Sequence, residues 1–143
     1  MAIANLHETL LTYAMRKNAL SVEISNLQSQ KTLAAYQQAD HHSIKAQDEE
    51  EVRRYFKALY DENEEYQGKY KNYTEIPDFE EEIDKIAAKY NDQLAELTAW
   101  ETALDSQITT DSAELEEVNA YMESLKSMLS SNIQEDFNYG LNG

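Results

Sequence analysis

The 143-residue chain has no cysteine, so it can build neither a disulfide framework nor a thiolate metal site, and its composition carries no sign of a redox compartment. One proline and three glycines leave few of the breakers that sheets and tight hairpins use, which makes an all-helical chain the expectation. Long apolar runs are missing as well. The longest cover only a few residues, too short to span a membrane, and Met1-Ala2-Ile3 opens without the basic patch and apolar core of a secretory signal. Residence in the cytoplasm, or export by a machine that needs no cleaved leader, are the two expectations this leaves. Basic charge is the last shortage: 12 Lys and Arg stand against 28 Asp and Glu, for a net charge of −16. Nucleic acid and anionic membranes, which select clustered Lys and Arg, are therefore not expected partners.

The acids are unevenly placed. Residues 1–47 carry three (Glu8, Glu23, Asp40) against four bases (Arg16, Lys17, Lys31, Lys45), and the rest carries 25 against eight. A near-neutral segment thus precedes a strongly acidic body, whose charge serves solubility and mutual repulsion.

What the chain has in abundance is heptad spacing. Between Ile83 and Asn132 hydrophobic residues recur at steps of four and three, and twelve of fifteen core positions are apolar. Ile83, Ala87, Tyr90, Leu94, Leu97, Leu104, Ile108, Leu115, Val118, Met122, Leu125 and Leu129 hold the register, and Glu101, Asp111 and Asn132 interrupt it. This is the seam of a coiled-coil helix, which cannot cover its own narrow stripe. The phase is unbroken across Thr109-Thr110-Asp111-Ser112, so one helix is expected from about 78 to 135, roughly 57 residues or about 85 Å at 1.5 Å per residue. The competing reading takes Asp111-Ser112-Ala113-Glu114 as a capping box that opens a separate helix.

A second register runs from Ile3 through Leu6, Leu10, Tyr13, Leu20, Ile24, Leu27 and Ala34, interrupted by Lys17 and Lys31. Leu11, Met15, Val22 and Leu33 lie off that stripe and imply a helix covered on more than one side. The polar stretch Gln37–Ser43, with Asp40 or Ser43 as a possible cap, is expected to end this helix near residue 40. A middle helix over 44–73 would put Ile44, Val52, Tyr55, Phe56, Leu59, Tyr66, Tyr70 and Tyr73 on one face, with tyrosine suited to a half-wet contact. Pro77 should open the last helix, followed by acids that favour its N-terminus. Residues 136–143 read as a tail containing a helix stop.

Chemistry finds little to work with. His41 and His42 are adjacent and thus about 100° apart on a helix, His7 is distant, and no histidine follows a glutamate by three as bundle di-iron sites need. Asp61-Glu62-Asn63-Glu64-Glu65 resembles part of a calcium loop but lacks its sixth-position glycine. The acid clusters have no pocket to shift their pKa, and no phosphate loop or nucleophile elbow occurs. No cofactor, metal site or enzymatic activity is expected.

The candidate residues are therefore those of an interface: Leu6, Leu10, Tyr13, Leu20, Ile24 and Leu27 on the first helix, and Trp100, Leu104, Ile108, Leu115, Met122 and Leu129 on the last. Trp100, beside Glu101, either broadens the stripe or anchors a contact. Glu101 and Asp111 interrupt one seam as Lys17 and Lys31 interrupt the other, so antiparallel pairing would set opposite charges against each other and fix the register.

In layout, a near-neutral first heptad helix, an acidic middle and a long C-terminal helix, the chain resembles subunits of flagellar and type III secretion filaments and needles. The segments Ala4-Asn5-Leu6 and Ser130-Ser131-Asn132-Ile133 fall in the two terminal helices of that layout. The resemblance implies polymer contacts through Leu6–Leu27 and Leu115–Ile133, a tyrosine-rich middle turned outward, and export without a cleaved leader. The resulting expectation is an all-α protein, a long antiparallel helical hairpin or coiled coil with paired N- and C-terminal helices and a middle helix, forming one elongated domain over residues 1–143. Its expected role is that of a non-enzymatic structural subunit that forms a homo-oligomer or polymer. The alternative is a cytoplasmic coiled-coil adaptor or chaperone that holds a partner helix.

Overall fold

The computed structural model describes residues 2–142, with side chains from residue 2 through 138. Helix α1 runs Ile3–Glu62, α2 Glu64–Lys69 and α3 Pro77–Asn142, with a short 3-10 turn at Tyr73–Glu75 before α3. No strand occurs among the described residues, and no helix among them is long and apolar enough to cross a membrane. The all-α hairpin expected from the heptads is the observed fold. The chain divides into two compact units, one of Met1–Gln30 with Leu104–Gly143 and one of Lys31–Ala103, and α1 and α3 contribute to both.

In the first unit the two helical segments run antiparallel. Tyr13 stacks on Tyr121 with ring centroids 5.6 Å apart, and Leu20 packs with Val118 and Met122 inside a rim of Leu10, Tyr13, Ala14 and Leu115. Leu6 and Leu20 are completely covered. Each such side chain contributes about 1.5–3 kcal/mol by leaving water, so a few of them outweigh any exposed ion pair on this surface.

The second unit contains the chain reversal. Phe56, Ile76 and Phe79 form its core, with Val52, Leu59, Tyr60, Tyr66, Tyr70, Tyr73 and Ile83 against it. Phe56 and Tyr73 both meet Phe79 edge to face at 5.5 and 5.4 Å, the arrangement that ring quadrupoles favour. The tyrosines expected to face outward thus mostly turn in, because only a cluster of rings fills the space beneath a short turn; Tyr55 alone of the middle tyrosines is well exposed.

The helix boundaries differ from expectation in three places. There is no joint at 37–43: α1 continues through it, because the heptad phase runs on from Ala34 through half-buried Gln38, His41, Lys45 and Asp48 to Val52. Partners across the seam make those polar residues tolerable. Gln38 Nε2 donates to Glu101 Oε2 at 2.9 Å, Lys45 Nζ to Asn91 Oδ1 at 3.3 Å, and the Tyr90 hydroxyl to Asp48 Oδ2 at 2.6 Å. With no glycine or proline in the stretch, nothing else stops the helix.

The break comes instead at Asn63, so the expected middle helix over 44–73 does not exist as one element. Asn63 Oδ1 accepts from the N–H groups of Glu65 and Tyr66 at 3.0 and 3.4 Å, which starts α2. Gln67 Nε2 reaches back to the carbonyls of Tyr60 and Asp61 at 3.1 and 2.9 Å, which finishes α1. The Tyr60 hydroxyl then donates to the carbonyls of Tyr70 and Lys71, both at 3.0 Å.

Helix α3 opens on Pro77, where a missing N–H costs nothing, and it does not stop at 109–112. Asp111 accepts from Gln107 one turn earlier at 2.9 Å and does not act as a cap, so the capping-box reading fails. The helix also continues past 135 to Asn142 in place of the expected tail and stop; Gly143 lies outside the described residues. Gly140 alone is too weak a breaker at about 1 kcal/mol to end it.

Gly68 sits in α2 with helical dihedrals and open space where a Cβ would project. Gly68→Ala should therefore raise unfolding stability by about 0.5–1 kcal/mol, and Asn63→Ala should lower it by about 1 kcal/mol. Urea titrations followed by circular dichroism measure both, and a destabilising Gly68→Ala would contradict the open site.

Candidate interaction surface

Twelve residues were expected at an interface, and the structure places all of them on the seam side of their helices. Leu6, Leu20, Leu104 and Met122 are buried; Leu10, Tyr13, Ile24, Leu27, Trp100, Ile108, Leu115 and Leu129 are half-buried. Leu10, Tyr13, Leu20, Leu115 and Met122 meet in one cluster. These five pack in the pairing of α1 with α3.

The exposed apolar residues lie elsewhere. Between Leu11 and Ser29, the positions facing away from the seam are Leu11, Met15, Asn18, Val22, Ser25 and Ser29, again at steps of four and three. Leu11, Met15 and Val22 are 57%, 67% and 61% exposed. The outer face of a paired helix is ordinarily where charge collects; this ribbon carries none. Its signal was legible as the off-stripe residues Leu11, Met15 and Val22. The first unit also exposes Met128, Ile133 and Phe137 on α3.

One polar group interrupts the core of this unit. Asp111 is 3% exposed, its Oδ1 is held by Gln107, and its Oδ2 is buried without a hydrogen-bond partner. The opposite charges expected at this seam position do not meet: Lys17 is exposed, and the group against Asp111 is another acid, Glu23. Two carboxylates thus lie against each other here, and a proton on Glu23 would relieve their repulsion.

The Glu23 pKa is accordingly raised above its ordinary 4.5, chiefly by the charge of Asp111, then by desolvation and the hydrogen bond to Asp111; Arg16 opposes the shift and Glu114 adds to it. Arg16 is committed elsewhere, donating from Nε and Nη2 to Glu114 Oε1 at 2.9 and 2.6 Å. That hydrogen bond and charge hold the guanidinium above its ordinary value. Sequence spacing gave Asp111 as an interruption but could not show what lay across from it.

In the second unit Glu101 accepts from Gln38, and the Tyr90 phenol is raised, first by its hydrogen bond to Asp48, then by burial and the Asp48 charge. His41 Nδ1 lies 2.7 Å from the Gln37 carbonyl oxygen. No group of three or more His, Cys, Asp or Glu among the described residues is placed to hold a metal ion. The seam of this unit thus carries several polar pairs where that of the first is mainly apolar.

No protein-family model matches the chain, and no match was found among curated proteins or solved structures.

The Glu23–Asp111 pair sets a pH dependence. A carboxyl whose folded pKa is raised contributes stability in full below its ordinary pKa, and that contribution is lost as pH rises through the folded value. Asp111→Asn removes the charge that raises Glu23, so it should reduce this acid-side gain and raise stability at neutral pH. Thermal melts of both proteins at neutral and mildly acidic pH read the difference; identical pH dependence would show that the pair does not titrate on folding.

Proposed function

We propose that this chain is a non-enzymatic structural subunit that associates with copies of itself, a component of a filament or of a secretion apparatus. The observation that carries the reading is the uncharged outer ribbon of α1, with Leu11, Met15 and Val22 facing water at heptad spacing while the seam side of the same helix is already occupied. A helix with two apolar faces has two sets of neighbours to satisfy.

A second copy suits this ribbon on charge. The chain as a whole is at −16 and its copies repel, yet residues 1–47 are close to neutral, so two such ribbons meet at the point of least repulsion. Steps of four and three on one ribbon also match the holes of an identical ribbon. Magnitude argues for repetition. Three apolar side chains on each of two copies contribute on the order of 10 kcal/mol when covered, which association costs of about 4–15 kcal/mol largely offset. A ribbon on an identical ribbon closes a weak dimer, and a fibre arises only when a second, different contact links such dimers. The exposed Met128, Ile133 and Phe137 offer the additional contact such a fibre needs.

Sedimentation velocity and negative-stain electron microscopy over a range of salt test the reading. Polymers or large oligomers should form, more readily as salt screens the like charge, and the triple variant Leu11→Glu, Met15→Glu, Val22→Glu should remain monomeric with an unchanged helical spectrum. A wild-type chain that stays a single small species at every salt concentration would overturn the proposal, as would a triple variant that polymerises normally.

A further inference from the structure

The second unit has a groove of about 540 Å³ between α1 and α3 near the chain reversal. Val52, Phe56 and Ile86 supply its apolar floor, and its lining includes five carboxylates, among them Glu51, Asp78, Glu81 and Glu82, with no base. Tyr55, 64% exposed, stands at its edge with its ring 5.2 Å from that of Phe56. This ring is a large apolar surface left in water next to a floor that is only partly covered.

Shape and charge together specify the occupant. The lining recurs at Asp48, Val52 and Tyr55 on one helix and at Asp78, Glu82 and Ile86 on the other, so the groove follows the helix axes for about two turns and has the form that receives a third helix. The fifth carboxylate, Asp48, already accepts from Tyr90. Glu81 and Glu82 share Lys85, which lies 3.5 and 3.3 Å away at the surface; exposed pairs of that kind are worth little and yield readily to a competing cation. An apolar floor between carboxylate rims is complementary to leucine-like side chains flanked by lysine or arginine. We propose that this groove is the docking site for a basic amphipathic helix of another protein. A second copy of the chain is a poor occupant, since the apolar ribbon it exposes on α1 carries no base to meet the carboxylates. The assignment does not depend on self-association through α1.

A fluorescein-labelled peptide of leucine and lysine at helical spacing is the probe, with a scrambled peptide of the same composition beside it, and fluorescence anisotropy with the full chain is the readout. The amphipathic peptide should bind about tenfold more tightly than the scrambled one, a difference of about 1.4 kcal/mol. Glu51→Gln, Glu81→Gln, Glu82→Gln together should weaken binding about tenfold, whereas Glu116→Gln, Glu117→Gln, Glu123→Gln, the same change of charge in the other unit, should alter it less than about twofold. Tyr55→Ser, a change at an exposed position, should weaken binding with the helical content intact. Equal losses from the two triple variants would reduce the effect to net charge and overturn the proposal. So would a scrambled peptide that binds as well, an unaffected Tyr55→Ser, or self-association of the chain that Tyr55→Ser abolishes, which would make a second copy the occupant.

Discussion

A helix with a narrow apolar stripe must keep that stripe in phase with its partner's, and the rest of this structure depends on how the phase is kept. An ideal helix drifts by about 20° per heptad against a strict seven-residue repeat. Over the long α1 the core positions hold their alternation from Ile3 to Val52, and the drift is taken up near the reversal, where Phe56 and not Tyr55 turns inward. That one-residue slip leaves Tyr55 in water and puts Phe56 against Phe79. The aromatic cluster, the edge of the acidic groove and the geometry of the turn all follow from it.

Within each unit the seam is specified differently. The first relies on aliphatic packing, with one buried acid, Asp111, set against a second acid, Glu23. The second relies on hydrogen bonds that only one register permits: Gln38 with Glu101, Lys45 with Asn91, Tyr90 with Asp48. Polar groups at core positions give up stability relative to leucine and in return disfavour neighbouring registers, the best-attested use of such groups in paired helices. A slip of one heptad would break all three bonds and set Gln38 against Leu94 or Ile108 and Asp48 against Ile83 or Leu97. The apolar seam alone would tolerate such a slip far better.

The continuity of α3 could be read directly from the sequence, because Ile108 and Leu115 stay one heptad apart and an inserted turn would have shifted them. The continuity of α1 could not. Gln37–Ser43 has the composition of a loop, and only the phase from Ala34 to Val52, carried by residues that are not apolar, shows that the helix persists. Pattern reading weighs hydrophobicity, whereas the folded chain weighs whether a partner exists; Glu101, Asn91 and Tyr90 lie more than forty residues away. The break at Asn63 was hidden for the opposite reason, since a single capping side chain among acids leaves no trace in periodicity. Of the surface features, the apolar ribbon was visible as Leu11, Met15 and Val22 off the main stripe. The pairing of Asp111 with Glu23 was not, because it needs the cross-seam alignment to be known first.

The two units also differ in how far apart their halves lie along the chain. Residues 31–103 form one contiguous stretch, so its pairs close around a short turn. The other unit joins residues 1–30 to residues 104 onward, and Tyr13 must find Tyr121 across more than a hundred residues. Contacts of such separation are slow to form unless the intervening chain is already organised. During synthesis the first thirty residues therefore emerge long before their partner, with Leu6, Leu20 and the outer ribbon all uncovered. A nascent chain in that interval presents apolar surface on two sides of one helix.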